Sequence, residues 1–249
     1  MRAFFGRARK VLIVTAVLAL TAVTLVSVAP WLLQRADMAR TALPWTPPCV
    51  VHTGEGTVAL SRQEAQRATT AVALEAHGAE DPDTSGIDAD VRERLRSGPP
   101  ADAGPSLTCR ASGSGGLERQ KLGESGLTPR ASQVRSAMEE VFGEQSLGGY
   151  EPGGVQDGHG EDSAHYDGRA IDVFYRPVSE ENRRQGWLLA HWLVAHAQTL
   201  DIANVIFDDR IWNVHGSPGG WWDYDSPDPD NDILSHRDHV HVDVQQGSE

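Results

Sequence analysis

The segment "RDHVHVDV", Arg237 to Val244, decides how this chain folds. Side chains two apart on an extended strand share a face, so His239, His241 and Asp243 fall on one face and Val240, Val242 and Val244 on the other. The valine face is apolar enough to be core. Two imidazoles side by side on the opposite face need a reason. The segment "GRAIDVFY", Gly168 to Tyr175, also reads as a strand, with Ile171, Val173 and Tyr175 on one face and Ala170, Asp172 and Phe174 on the other. A carboxylate in so apolar a run costs free energy unless it is paired or bound to a metal.

Working outward, "NVIFDDRIWN", Asn204 to Asn213, reads as a hairpin that turns at Asp208-Asp209. The segment "TPRASQVRSAMEEVFG" reads as a helix. Thr128 stands at its N-cap and Pro129 at the first helical position, Val134, Met138, Val141 and Phe142 line one face, and Gly143 ends it. A second helix, "SEENRRQGWLLAHWLVAHAQTL", carries Glu180 and Glu181 in its first turn and is apolar on most sides from Trp187 to Leu200, the pattern of a helix buried against a sheet. Antiparallel strands with helices set to one side predict an α+β fold: a small antiparallel sheet with helices packed on one side.

The N-terminal half has a different character. Residues 1–10 are basic, and an uncharged apolar run follows from Val11 to Leu33, long enough to cross a membrane once with the basic flank inside. The competing reading is a cleaved signal peptide ending at Ser27-Val28-Ala29; the length of the run and Pro30 directly after it favour an anchor over residues 11–33. The expected location is the cell membrane, single-pass with the C-terminal domain extracytoplasmic, and secretion is the alternative. Residues 34–126 are rich in Gly, Pro, Ser, Asp and Ala and read as a flexible extracytoplasmic linker with one short Ala-rich helix over 60–78. Cys49 and Cys109 are the only cysteines, and export would let them form a disulfide. The formal charge of −13, from 35 acidic and 22 basic residues, excludes nucleic acid as a natural partner.

Metal chemistry is the candidate reason for the polar strand face. A catalytic zinc site offers three protein ligands, often two histidines and a carboxylate, and leaves a fourth position for water. His165, Asp172 and His241 meet that count. Gly168 would let the loop carrying His165 approach the metal, and Ser163 would hydrogen-bond a ligand. Asp238 would then act as general base, and His239 as a stabiliser of the oxyanion or a proton donor. The ligand types admit several divalent ions besides zinc. The plainer alternative is a set of satisfied polar residues in loops and at strand ends.

The segment "SAHYDGRAID", Ser163 to Asp172, resembles the Ser-x-His-x-x-Gly-x-Ala-x-Asp signature of zinc D-Ala-D-Ala carboxypeptidases and related peptidoglycan endopeptidases, whose fold includes lysostaphin-type enzymes and the hedgehog signalling domain. That resemblance implies zinc held by His165, Asp172 and His241, with Asp238 or His239 as catalytic partner. It departs in having Asp where those carboxypeptidases commonly have Glu, and their carboxylate-gripping residues have no match here. From Gly149 to Val244 the chain also looks like the C-terminal domain of a family of actinobacterial exported or membrane-anchored proteins, some labelled "heavy metal transporter". One apolar span cannot form a transport path, so that label is set aside.

The expected organisation is therefore a basic segment at 1–10, an anchor at 11–33, a linker at 34–126 and a metallopeptidase-like domain at 127–249. The expected activity is hydrolysis of peptide bonds in peptidoglycan stem peptides, and the rival is a catalytically silent, metal-stabilised module that binds cell-wall material or a partner protein. Elsewhere, His159 reads as a loop residue, His191 and His196 as core or surface histidines, and His215 and His236 as loop residues near the cleft. Asp228, Asp230 and Asp232 lack the Gly and Glu of a calcium loop. Trp221, Trp222 and Tyr224 would line a groove or cover the sheet.

Overall fold

The strand read from "HVHVDV" forms, and its position in the sheet organises the C-terminal half. The structure is a computed structural model that describes residues 47–100, 104–215 and 220–248. The anchor and the alternative cleavage site lie outside the described residues, among which no helix is long and apolar enough to cross a membrane. In chain order the elements are β1 (Cys49–Thr53), β2 (Gly56–Leu60), α1 (Arg62–Ala76), α2 (Ala89–Ser97), β3 (Leu107–Cys109), α3 (Pro129–Phe142), β4 (Leu147–Gly148), β5 (Ala170–Phe174), α4 (Glu180–His196), β6 (Ile202–Phe207), β7 (Arg210–Asn213), β8 (Trp221–Asp223) and β9 (His239–Val244).

A six-stranded antiparallel sheet runs in the order β4-β5-β9-β6-β7-β8. Strand β9 lies between β5 and β6, and its register sets Asp172 opposite His241 and Phe174 opposite His239. The β6–β7 hairpin turns at Asp208 and Asp209, whose φ values of 52° and 61° fit the left-handed two-residue turns that match strand twist. Val240, Val242 and Val244 enter the core with Ile171 and Val173, beneath α3 and α4. Thr128 caps α3 by accepting from the Ala131 N–H at 3.4 Å, and Val134, Met138 and Phe142 are buried along it. Every residue of α4 from Gly186 to Ala195 is buried. Gly186 is required there, because a Cβ would stand 2.2 Å from Cζ of Phe207. The α+β reading therefore holds.

The linker reading is corrected over its described part. Residues from Pro47 onward belong to one compact unit, and β2-β1-β3 form a second, three-stranded sheet. Composition misleads here because α1 builds its buried face from Ala65, Ala68, Ala71, Val72 and Ala73, side chains too small to register as core formers. Their size lets the helix lie close to α4, where Trp192 Nε1 donates to Thr70 Oγ1 at 3.0 Å. Helix α1 is also closed by a capping box, Ser61 with Glu64. Helix α2 was not expected; Asp88 caps it, and it buries only Val91 and Leu95, one turn apart.

Cys49 and Cys109 oppose each other across β1 and β3 and form a buried disulfide. The chain it encloses has a core of its own, contrary to expectation. Strand β3 is tied to the larger sheet by two indoles: Trp212 Nε1 donates to the Cys109 carbonyl at 2.9 Å and Trp221 Nε1 to the Leu107 carbonyl at 3.0 Å. His191, on α4, is a core histidine as expected. It accepts from the Ser106 N–H at 3.2 Å, and burial pushes its pKa down to about 3 from 6.5.

Two stability measurements follow from these contacts. The separation of 60 residues between the cysteines places the disulfide among long-loop cross-links, so replacing both cysteines by Ala should cost about 2–5 kcal/mol in denaturant unfolding. His191 is neutral in the folded chain and takes up a proton only when unfolded once pH falls below 6.5. The unfolded state then binds more protons, so His191 should contribute a loss of about 1.4 kcal/mol per pH unit as pH falls from 6.5 towards 3. His191→Gln, which keeps an acceptor for Ser106, should remove that part of the slope.

Candidate metal centre

The loop between β4 and β5 delivers His165 to the polar face of β9. Two local turns fix it: Gly168 N–H donates to the His165 carbonyl at 3.0 Å and Arg169 N–H to the Ala164 carbonyl at 2.9 Å. Ser163 Oγ accepts from the backbone N–H of His165 at 3.3 Å, so it orders the turn and does not touch the imidazole. Gly168 has a corrected role as well. Its Cβ would stand 2.3 Å from the Gly126 carbonyl oxygen, so the close approach it permits is to the 122–126 segment. The glycine pressed against the site is Gly149, with φ 79°, where a Cβ would lie 2.3 Å from His165 Cε1 and 3.0 Å from Asp172 Oδ2.

His165, Asp172 and His241 converge and are all buried. His165 Nε2 lies 3.1 Å from His241 Nδ1 and 3.3 Å from Asp172 Oδ1, and His241 Nδ1 lies 3.1 Å from Asp172 Oδ1. Three ligands of a tetrahedral zinc ion, each about 2.0 Å from it, stand about 3.3 Å apart, so the triangle has the size that a small divalent cation requires. The far nitrogens decide the tautomers. His165 Nδ1 is 2.7 Å from the Gly149 carbonyl, and His241 Nε2 is 3.2 Å from Asp243 Oδ2. Carbonyl and carboxylate oxygens only accept, so in the neutral rings those far nitrogens carry the protons and the nitrogens facing the triangle carry lone pairs.

Three lone-pair atoms this close repel unless something positive lies among them. Burial would lower the His241 pKa, yet hydrogen bonds to Asp172 and Asp243 on its two sides push it up to about 9. Burial would raise the Asp172 carboxyl, but the neighbouring imidazoles of His165 and His241 hold it far below the usual carboxylate range. A proton on His241 relieves one edge of the triangle; a divalent cation relieves all three and displaces that proton. Among the described residues no other group of three His, Cys, Asp or Glu donors comes together this way, and the acidic loop at Asp228–Asp232 does not.

The two expected catalytic residues separate in position. His239 faces the triangle, with Nε2 3.8 Å from Asp172 Oδ1. Asp238 stands behind it: one oxygen holds His239 Nδ1 at 2.7 Å and the other holds Arg176 Nε at 2.5 Å. His239 and Arg176 together keep the Asp238 carboxyl ionised, against its burial. Arg176 itself lies over the Phe174 ring, 4.1 Å from its centroid.

Further residues surround the centre. His159, read as a loop residue, stacks on His165 with ring centroids 4.0 Å apart and is held by Tyr166, whose hydroxyl donates to the His159 carbonyl at 2.7 Å. The His236 ring lies 4.7 Å from that of His239 and 4.8 Å from Tyr224. Burial, then His241 and His239, push the His236 pKa down to about 3. Asp243 was placed on the right face but given no role; it anchors His241 and is itself held by Asn204 Nδ2 at 3.0 and 2.9 Å. Its spacing of two from His241 was the available signal, whereas nothing in the chain pattern points to His159 or Gly149. His215 lies against Gly113, His196 stacks on Trp192, and Trp221 covers Trp187 while Trp222 is exposed.

Asp243→Asn should weaken binding of an added divalent cation at the triangle about 10- to 100-fold while leaving His165, Asp172 and His241 in place. Competition against a chelating dye measures this.

Compared with known proteins, residues 123–233 match a family model described as VldE, C-terminal domain. The match takes in α3, α4, His165 and Asp172 and ends at Ile233, before β9 and His241. No curated protein and no solved structure matches the chain. From residue 123 to residue 233, this chain is similar to the VldE C-terminal domain.

Proposed function

We propose that the centre holds one zinc ion and that the domain is a peptidase outside the cytoplasm, hydrolysing peptide bonds in peptidoglycan stem peptides. The observation that carries the reading is the triangle of His165 Nε2, Asp172 Oδ1 and His241 Nδ1, with edges of 3.1–3.3 Å and both far nitrogens anchored. The substrate class rests on the likeness of "SAHYDGRAID" to the zinc carboxypeptidase signature, and the location on the apolar run at 11–33. When bound, zinc supplies Lewis-acid polarisation of a carbonyl and of water.

The chain's own residues supply the proton chemistry. Asp238 holds the Nδ1–H of His239, which leaves the Nε2 lone pair directed towards the triangle. His239 Nε2 then takes a proton from the attacking water and returns it to the leaving amine. Asp238 orients the imidazole and offsets the charge that develops on it, and Arg176 keeps Asp238 in place. The base is thus reassigned from Asp238 to His239.

The purified protein should carry about one zinc per chain, lost in His165→Ala and in His241→Ala. His239→Ala should retain the metal and lose about 10²- to 10⁴-fold in turnover of stem peptides. A protein that binds zinc and cell-wall material but cuts no peptide, before or after His239→Ala, is the metal-stabilised binding module. Absence of stoichiometric metal removes both readings.

A further inference from the structure

A second cavity, away from the metal centre, has the chemistry of a ligand site. It is an open groove of about 500 Å³ between β1, α2, β3 and β8, and His52, Arg94, Ser106, Thr108 and Trp221 supply its polar and aromatic wall. Its volume falls in the range of small-molecule sites. None of these residues belongs to the metal triangle or to the histidines around it.

Strand register explains why the wall is polar. The pairing of β1 with β3 sets Val51 opposite Leu107 and Cys49 opposite Cys109, and these residues face the core. The alternate positions therefore turn the other way: Thr108 on β3, Ser106 just before it, and His52 across from Ser106, whose carbonyl accepts the His52 N–H at 2.8 Å. The hydroxyls of Ser106 and Thr108 are buried and have no hydrogen-bond partner, and Ser106 is 1% exposed. Both lie shielded behind the wall, so the charged group that faces the cavity is Arg94. Arg94 projects from α2 into the same space and makes no ion pair among the described residues, although the chain carries 35 acidic side chains. Trp221 is anchored by its indole N–H to the Leu107 carbonyl and is half-buried at the cavity wall.

The geometry points to a binding site for a small molecule that carries a phosphate or carboxylate on a ring. The guanidinium of Arg94 would donate to the oxyanion, and the ring would lie against Trp221. A guanidinium fork suits either oxyanion. An uncharged ligand would leave Arg94 in the cavity without a counter-charge. This site does not depend on the metal centre being catalytic or on its holding zinc.

Inorganic phosphate and phenyl phosphate are suitable probes, titrated calorimetrically into the full-length protein and into its His165→Ala variant, which removes anion binding at the metal centre. Saturable binding should appear in both proteins, tighter for phenyl phosphate. Arg94→Ala should weaken it about 10- to 100-fold, as loss of a charge-assisted hydrogen bond does. Thr108→Val, which changes a hydroxyl shielded from the cavity, should leave the affinity unchanged. No saturable binding, binding that disappears only with His165→Ala, or equal affinity in wild type and Arg94→Ala would each overturn the assignment.

Discussion

The register between β5 and β9 is the constraint on which the rest depends. Asp172 stands directly opposite His241 because the two strands pair at that step, and side chains alternate with a period of two. A slip of one residue would turn His239, His241 and Asp243 into the core and expose the valines. The valine face therefore enforces the position of the polar face: burial of Val240, Val242 and Val244 under α3 and α4 fixes where the two imidazoles and the carboxylate stand.

A polar cluster this deep is stable only if its members are satisfied. Buried ions without partners are costly, and charged groups in a low-dielectric interior act strongly on one another. Each imidazole that faces the triangle is anchored at its far nitrogen, His165 by Gly149 and His241 by Asp243. Asp243 is in turn held by Asn204, and Asn204 Oδ1 accepts from Asn213 Nδ2. The chain of contacts runs across β9, β6 and β7, so the orientation of His241 depends on three neighbouring strands. Asp238, His239 and Arg176 form a parallel chain on the other side of the centre. The outer partners set the tautomers, and the tautomers leave three bare donor atoms converging on one point.

The N-terminal sheet contributes in a different way. It holds no residue of the triangle, yet β3 packs against α4 and takes two indole hydrogen bonds from the strands of the larger sheet. The disulfide between β1 and β3 holds that small sheet at the place where Trp212 and Trp221 dock. Its outward face is where the second cavity forms, since a short strand with Leu107 and Cys109 in the core must turn Ser106 and Thr108 the other way.

The sequence by itself determined the elements with strong local signals. Alternation assigned the faces of β9 and β5; Thr128, Pro129 and Gly143 bounded α3; Asp208-Asp209 marked the hairpin. It also named His165, Asp172 and His241, because ligand types and a spaced signature survive without coordinates. Local pattern does not carry distances between segments far apart in the chain, and several features depended on those. Residues 47–126 read as linker because alanines contribute core only when another helix lies against them. Asp238 read as the base from its spacing to His241, and its carboxylate bridges His239 and Arg176. His159, His236 and Gly149 reach the centre through loops whose course no periodicity encodes. Local periodicity settles which face a side chain occupies, and only the packing of segments remote in sequence decides which side chains meet there.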